Sequence, residues 1–269
     1  MTVDLIAAAH GTADPRGIRE VHTLVRLMAA QRPEVPISLG FVDVDVPALP
    51  SLVDRVVADS NEAVIVPLLL SSGYHTAVDI AREATRRPTR IHAAPALGPD
   101  PALADVLADR LRECLHPTST AQSGTCSGPG DLLGVRCGAF DEVDRVVLAA
   151  AGSSDQRALL DCSATAAMLA EVIDRPVEVG YVSGAGERLG PVLARTTGLA
   201  GPAHRSTSRV VVATYLLAPG FFADRVKRIA GDLPVSAPLG ADSRIAELAL
   251  RRFDQAQAPA IGELSAVAV

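Results

Sequence analysis

The feature that most constrains the fold of this chain is an internal repeat. Four short segments recur in the same order further along the chain, at offsets of 140 to 147 residues. The paired segments are residues 7–14 with 148–155, 40–43 with 180–183, 69–75 with 216–222, and 97–100 with 239–242. Matches in one order at a nearly constant offset indicate a duplication, so the sequence predicts two copies of one fold.

Within each copy, apolar runs of strand length alternate with segments of helical periodicity. Val3–Ala9 is such a run, and after it Ile18, Val21, Leu24 and Met28 form one apolar helical stripe. Further strands are predicted at residues 37–42, 63–70 and 90–94, with helices between them. Hydrophobic residues make up 48% of the chain but aromatic residues only 3%, which suits parallel strands buried on both faces by aliphatic side chains. The alternation predicts an α/β fold in which each copy is a parallel sheet with helices on both faces.

A change of composition separates the two copies. From about residue 117 to residue 138 the chain is rich in Ser, Thr, Gly and Pro and has little periodicity, which is typical of a linker. We therefore predict an N-terminal domain at 1–116, a linker at 117–142, a C-terminal domain at 143–256 and a tail at 257–269.

Composition also excludes several functional classes. The net charge of -6 and the scattered arginines argue against a nucleic-acid partner. No apolar run approaches the ~20 residues of a membrane span, and the first residues lack the features of a signal peptide, so we expect a cytoplasmic protein. The four cysteines form no C-x-x-C pair, which favours reduced structural thiols over a zinc or iron–sulfur site. Cys126 and Cys137 share the linker, and a disulfide or a loosely held metal there stays open.

Three ionisable residues, His10, Asp43 and His75, each follow a predicted strand. Because ligands of open parallel sheets bind at the carboxyl ends of the strands, we expect these side chains to line one rim. Two imidazoles and a carboxylate suit a divalent transition metal, and histidine is the side chain best able to accept a proton near neutral pH. The equivalent positions of the second copy hold Ala151, Ser183 and Phe222. Although a lone histidine is more often an ordinary loop residue, this joint placement and joint loss predict a metal site in the first copy only.

The segments LIAAAHGTADPRG, GFVDVDVPAL, VPLLLSSGYHTAVDI and APALGPDPALADVLADRL together resemble the sirohydrochlorin chelatases. These class II chelatases insert Fe(II) or Co(II) into a tetrapyrrole. The resemblance covers the first half, and the second half is similar to the same domain without its histidines, as in the two-domain members of the family. It implies two tandem flavodoxin-like, chelatase-like domains related by duplication.

The resemblance also implies roles for individual residues. His10 and His75 would be the catalytic pair that binds the metal and helps to remove the pyrrole protons. Asp43 would be a further metal ligand, at a position where family members often have the longer glutamate. The nearest candidates for holding the substrate carboxylates are Arg16, Arg19, Arg82 and Arg86, for which a solvated helix face is an equal alternative.

The same resemblance implies a divalent metal and a tetrapyrrole as substrates and no organic cofactor. The protein would be a monomer or a weak homodimer. Iron is the preferred metal, because the extensions of the cobalt-associated members are absent, while cobalt and the choice between sirohaem and cobalamin synthesis stay open.

Other functions are consistent with parts of this pattern. A histidine phosphatase also has His-Gly after its first strand, but it requires a basic residue where Ala9 precedes His10. A tetrapyrrole or metal carrier would use the same rim without turnover. A degenerate structural protein would have no reason to keep the pair of histidines in the first copy.

Overall fold

The computed structural model describes residues 3–43, 45–59, 62–71, 73–86, 89–116, 140–198 and 209–257, with the backbone alone at 74–77. The first half, residues 3–116, has the order β1 (Val3–Ala9), α1 (Pro15–Gln31), β2 (Ile37–Phe41), α2 (Leu49–Ala58), β3 (Glu62–Pro67), α3 (Tyr74–Arg86), β4 (Ile91–Ala93) and α4 (Pro101–Leu115). The second half, residues 140–257, has β5 (Arg145–Ala150), α5 (Gln156–Ile173), β6 (Val177–Tyr181), α6 (Leu189–Thr196), β7 (Val210–Tyr215), α7 (Phe221–Ala230) and α8 (Ser243–Gln257).

The strands form two parallel sheets, which confirms the predicted fold class. The first sheet has the order β2-β1-β3-β4 and the second the order β6-β5-β7. At the place of a fourth strand, the second half has one bridge between Val212 and Val235. Each sheet therefore has its first strand in the middle, and the loops that follow the strands gather at one edge.

Hydrogen bonds between the loops repeat from one half to the other. The Leu97 amide donates to the Leu69 carbonyl at 2.8 Å, and the Leu239 amide donates to the Leu216 carbonyl at 2.9 Å. These four positions are related by the offsets read from the sequence. The duplication is thus visible in the backbone, residue by residue.

The last helix of each half packs on the sheet of the other half. Helix α8 lies against α1, β3 and β4 of the first half, and α4 lies against α5 and β7 of the second. Alternate side chains of β1, such as Leu5 and Ala7, enter a core that is continuous with the inner face of β5, while Ile6 and Ala8 face the core that contains α2. The two halves consequently share one hydrophobic core, and this fixes the two strand edges relative to each other.

Some predictions fall on residues outside the described ranges. Nearly all of the linker at 117–142, the tail at 257–269, Cys126 and Cys137 lie there. Within the described ranges Cys114 and Cys162 are free thiols. No helix of the described ranges combines the length and the apolar character needed to cross a membrane.

Candidate functional site

A cavity of about 670 Å³ lies between the carboxyl ends of the two sheets. Residues at the ends of the central strands line it from both sides: Ala9 and Leu68 from the first half, Ala150 and Leu216 from the second. Its walls are mostly apolar side chains and backbone. A cavity of this size and character, at the carboxyl ends of parallel strands, is suited to a bulky organic ligand.

His10 lies in this cavity, directly after β1, and is exposed to it. The turn that carries it depends on Gly11, whose φ of 99° is a conformation that favours glycine. The Thr12 amide beyond it donates to the Asp45 carboxylate at 2.7 Å, and the Asp14 carboxylate caps α1 by accepting the Arg16 amide at 2.8 Å. The loop that positions His10 is therefore held at both of its ends.

The segment before His75 follows β3 and lines the same cavity through Leu70, Ser71 and Gly73. His75 itself is the second residue of α3. Its backbone thus continues directly from the cavity wall, while its side chain is outside the described atoms. Among the side chains that are described, no group of three His, Cys, Asp or Glu residues could hold a metal ion.

Asp43 is exposed, and it is not among the described residues that line the cavity. Its amide donates to the His10 carbonyl at 3.0 Å, so the two loops are joined through their backbones. The carboxylate that sequence analysis missed in this loop is Asp45, which binds the Thr12 amide. Both acids stand in the segment DVD, and Asp43 was favoured because it comes sooner after the strand and matches the position where the resembling family often has glutamate.

The four candidate arginines do not appear among the described residues that line the cavity. Arg16 pairs with Asp14 and with Asp224 of the second half, both at 2.7 Å, and these hydrogen bonds raise the pKa of the Arg16 guanidinium. Arg82 pairs with Asp79 at 3.0 Å and lines a smaller cavity of about 180 Å³ beside α2. The others, Arg19 and Arg86, are exposed on α1 and α3. Of the four, Arg16 is the one that links the two sides of the cleft.

Aromatic side chains are concentrated at the cavity, which sequence analysis did not predict. The whole chain has five Phe and three Tyr. The aromatic residues that line the cavity are Phe41, Tyr181, Tyr215, Phe221 and Phe222. Five of the eight Phe and Tyr residues therefore lie in one place. The signal that could have indicated it is the repeat, because residues 216–222 align with the segment that carries His75.

Tyr215 joins the two halves at the back of the cavity. Its buried hydroxyl donates to the Leu70 carbonyl at 2.8 Å, five residues before His75, and accepts from the Thr165 hydroxyl at 3.1 Å. Burial raises the pKa of Tyr215, so the hydroxyl stays protonated and keeps donating. The second half thus fixes the loop that leads to α3.

In the second half, the positions equivalent to His10 and Asp43 hold different side chains. Gly152 has φ 95°, as Gly11 does, but Ala151 replaces the histidine. The Ser183 hydroxyl donates to the Ala151 carbonyl at 2.7 Å and so joins the two loops that carry these positions. The same backbone therefore presents no imidazole or carboxylate at these two positions.

Comparison with known proteins agrees with the repeated architecture. The CbiX family model matches residues 4–114 and again residues 145–256. SirB from Bacillus subtilis with Fe3+ is similar over 96% of both chains, at 19% identity and a TM-score of 0.71. The sirohydrochlorin chelatase SirB from Bacillus subtilis subspecies spizizenii in complex with cobalt is similar over 95% of both chains, at 19% identity and a TM-score of 0.65.

A third solved structure is CbiX, the terminal enzyme for biosynthesis of siroheme in denitrifying bacteria. It is similar over 94% of this chain and 99% of its own, at 15% identity and a TM-score of 0.58. Among curated proteins no match is found. At these identities the solved structures show a common fold.

Proposed function

Because the chain belongs to the CbiX family, we propose that it is a sirohydrochlorin chelatase, which inserts a divalent metal ion into a tetrapyrrole. The observation that carries this proposal is the cavity of about 670 Å³ between the halves, into which His10 is exposed. A wide, mostly apolar cleft suits a planar macrocycle, and an imidazole at its wall can bind the ion or accept a proton. The proposal assigns the site to residues 1–116 and the closing wall of the cleft to residues 143–256.

The reaction exchanges one dication for two protons. The ion loses water ligands as the ring nitrogens take their place, and two pyrrole N–H protons leave. We assign His10 to hold the incoming ion through one ring nitrogen, since a neutral imidazole is a good ligand for such ions. We assign His75 to contact the ion as it arrives and, once the ring nitrogens have taken the ion, to accept pyrrole protons on the freed nitrogen and release them to solvent.

Asp43 is the third ligand of the proposal. Its exposed carboxylate and its backbone bond to the His10 loop suit a residue that meets the hydrated ion at the entrance. A carboxylate in that place raises the local concentration of a dication. The variant Asp43→Asn should then raise the KM for the metal and leave the KM for the tetrapyrrole unchanged.

For the metal we propose Fe(II), with Co(II) as an accepted substitute. Two imidazoles and one carboxylate bind either ion, and the order of affinities alone does not choose between them. The SirB structures hold Fe3+ in one case and cobalt in the other, which supports a site able to accept both. The protein requires no organic cofactor in this scheme.

The test is anaerobic absorbance during incubation with sirohydrochlorin and Fe(II) or Co(II) in turn. We compare the wild type, His10→Ala, His75→Ala and the double variant with His92→Ala, which removes an exposed histidine from β4. Loss of an acid–base or ligand group should lower kcat/KM by about 100-fold or more, whereas His92→Ala should keep the wild-type rate.

Multiple turnovers in the wild type that are lost in the histidine variants would support the proposed chelatase activity. Fe(II) should give the higher kcat/KM. Tight binding of the tetrapyrrole with no metallation above the protein-free control would refute catalysis and indicate a carrier.

A further inference from the structure

Two phenylalanines at the start of α7 are exposed, and both line the cavity. Phe221 is 64% exposed and Phe222 39% exposed, and their rings meet edge to face with centroids 5.5 Å apart. Exposed large apolar side chains elsewhere in the described ranges are Val46, Val78, Leu160 and Val172, and none of these lines the cavity. Leaving two phenyl rings in water is unfavourable, and adjacent exposed rings in a cleft indicate a ligand that covers them.

The duplication relates these rings to the metal site. Helix α3 begins at Tyr74 and α7 at Phe221, and these starts are related by the same offset as the carbonyl residues Leu69 and Leu216 of the matching hydrogen bonds. Phe222 therefore occupies the position of His75, in the first turn of the equivalent helix. The same place on the fold carries a metal-binding type of residue in one half and a purely apolar one in the other.

Contacts across the cleft hold this pair next to the His10 loop. Asp224, in the first turn of α7, pairs with Arg16 at the start of α1 at 2.7 Å. A Cβ atom on Gly220 would lie 3.6 Å from the Thr12 hydroxyl oxygen, so the two loops are in close contact. The phenyl rings are thus presented to the cavity from a fixed position rather than from a free loop.

We propose that Phe221 and Phe222 form the surface on which the tetrapyrrole macrocycle packs, so that the second half binds the ring while the first half binds the ion. This inference rests on the proposed chelatase function and adds the residues that select a large planar substrate. Phenyl rings pack on a conjugated macrocycle by offset stacking and edge-to-face contact, and they offer no ligand to the ion. The loss of histidine from the second copy then leaves one metal site facing one apolar wall.

The experiment measures ring binding and metal binding separately. Sirohydrochlorin is titrated into the metal-free protein and followed by its own absorbance and fluorescence, and Co(II) alone is titrated and followed by its visible absorption. The variants are Phe221→Ala, Phe222→Ala, the double variant and Phe222→Leu. The control is Leu160→Ala, which removes an apolar side chain that is 61% exposed outside the cavity.

Removal of each phenyl ring should weaken sirohydrochlorin binding by roughly tenfold, because the ring buries apolar area in the complex. Phe222→Leu should fall between the wild type and Phe222→Ala. The Kd for Co(II) should stay unchanged in all variants, and Leu160→Ala should bind both ligands as the wild type does. Because the rings are exposed, circular dichroism should show an unchanged fold.

Three results would overturn the inference, and they differ in what else they affect. If the wild type binds sirohydrochlorin and the double variant binds it within about twofold, the aromatic surface is refuted and the chelatase function stands. If the wild type does not bind sirohydrochlorin at all, the proposed function fails together with the inference. A parallel loss of Co(II) binding in Phe222→Ala would also refute the division of roles.

Discussion

Substitution of Gly17 by alanine should destabilise this protein, although the same change stabilises most helices. Gly17 is buried in the first turn of α1, where the two halves approach each other. A Cβ atom there would lie 2.8 Å from the Pro219 carbonyl oxygen and 2.8 Å from the Thr12 Cγ2. The Pro219 carbonyl is backbone of the other half, so this close contact can be relieved only if the two walls of the cleft move apart.

The magnitude follows from two opposing terms. Alanine is favoured over glycine inside a helix by ~1 kcal/mol. Forcing a methyl group into a filled space costs ~1–3 kcal/mol. The free energy of unfolding should therefore fall by about 1 kcal/mol, and sirohydrochlorin binding should weaken because Pro219 moves away with the start of α7.

The matched control is Gly190→Ala in α6. There the nearest atom to a new Cβ is the Ile229 Cγ2 at 3.8 Å, an ordinary contact. That variant should gain up to ~1 kcal/mol from helix propensity alone. The two substitutions are chemically identical, so they separate the contact between the halves from the general effect of removing a glycine.

The assay is urea unfolding followed by far-ultraviolet circular dichroism, since the chain has no Trp for fluorescence. The shared core predicts one transition for both halves, so a single midpoint describes each variant. If Gly17→Ala were as stable as Gly190→Ala and bound sirohydrochlorin normally, the close packing of α1 on the Pro219 loop would be refuted.

Three further predictions concern single side chains, and the first two use the same unfolding assay. Tyr215→Phe removes the hydroxyl bonded to the Leu70 carbonyl and should cost about 1–2 kcal/mol of stability; an unchanged urea midpoint would contradict that bond. Hydrogen bonds from Arg244 lower the pKa of the Asp242 carboxyl in the folded protein. The stability that these bonds provide is present above about pH 4, near the pKa of the unfolded carboxyl. It is lost as the pH falls through the lower pKa of the folded protein. Arg244→Met should therefore have a flatter decline of urea midpoint from pH 5 to pH 2, and an equally steep decline would refute the pairing. Burial raises the pKa of the Cys162 thiol to about 12. Peptide mass spectrometry should therefore show that iodoacetamide at pH 8 modifies Cys162 in urea but not in the folded protein. Equal rates in both conditions would show that the thiol is accessible.

The local structure of the first half was predictable because its patterns are strong. The strand Val3–Ala9 has the predicted bounds, and the stripe through Leu24 and Met28 is buried. Asp14 and Pro15 mark the start of α1, where the carboxylate accepts an amide and Pro stands at the first position. Such signals are carried by neighbouring residues, and they do not depend on what the element packs against.

The exchange of α4 and α8 between the sheets could not be predicted in this way. Periodicity shows that a helix has an apolar face, and Leu103 and Leu107 of α4 are indeed fully buried. It does not show which sheet covers that face, because both sheets have the same aliphatic character. Short connections favour packing within one copy, and the duplicated chain has the alternative of packing each terminal helix on the other copy.

Prediction of the site was limited by the kind of residue considered. His10 was singled out because an imidazole after a strand indicates chemistry, and the structure exposes this residue in the cavity. The aromatic wall was missed because apolar residues are expected in the core unless their exposure is known. Asp45 was missed because its carboxylate holds a backbone amide, a role that depends on the loop conformation.

The exchange of helices gives a physical reason for a second half that has no histidines at these positions. Its sheet is covered by α4, and its α8 covers the first sheet, so each half completes the core of the other. Folding therefore depends on the strands of both copies, whereas it does not depend on a histidine at a rim position of the second copy. A symmetric pair of histidine sites would present ligands from both walls of one cleft, and a ring lying between them would have no apolar wall. With Phe222 in place of a histidine, the cleft gains an apolar wall at no cost to the core, because the exposed ring takes no part in the packing of the two sheets.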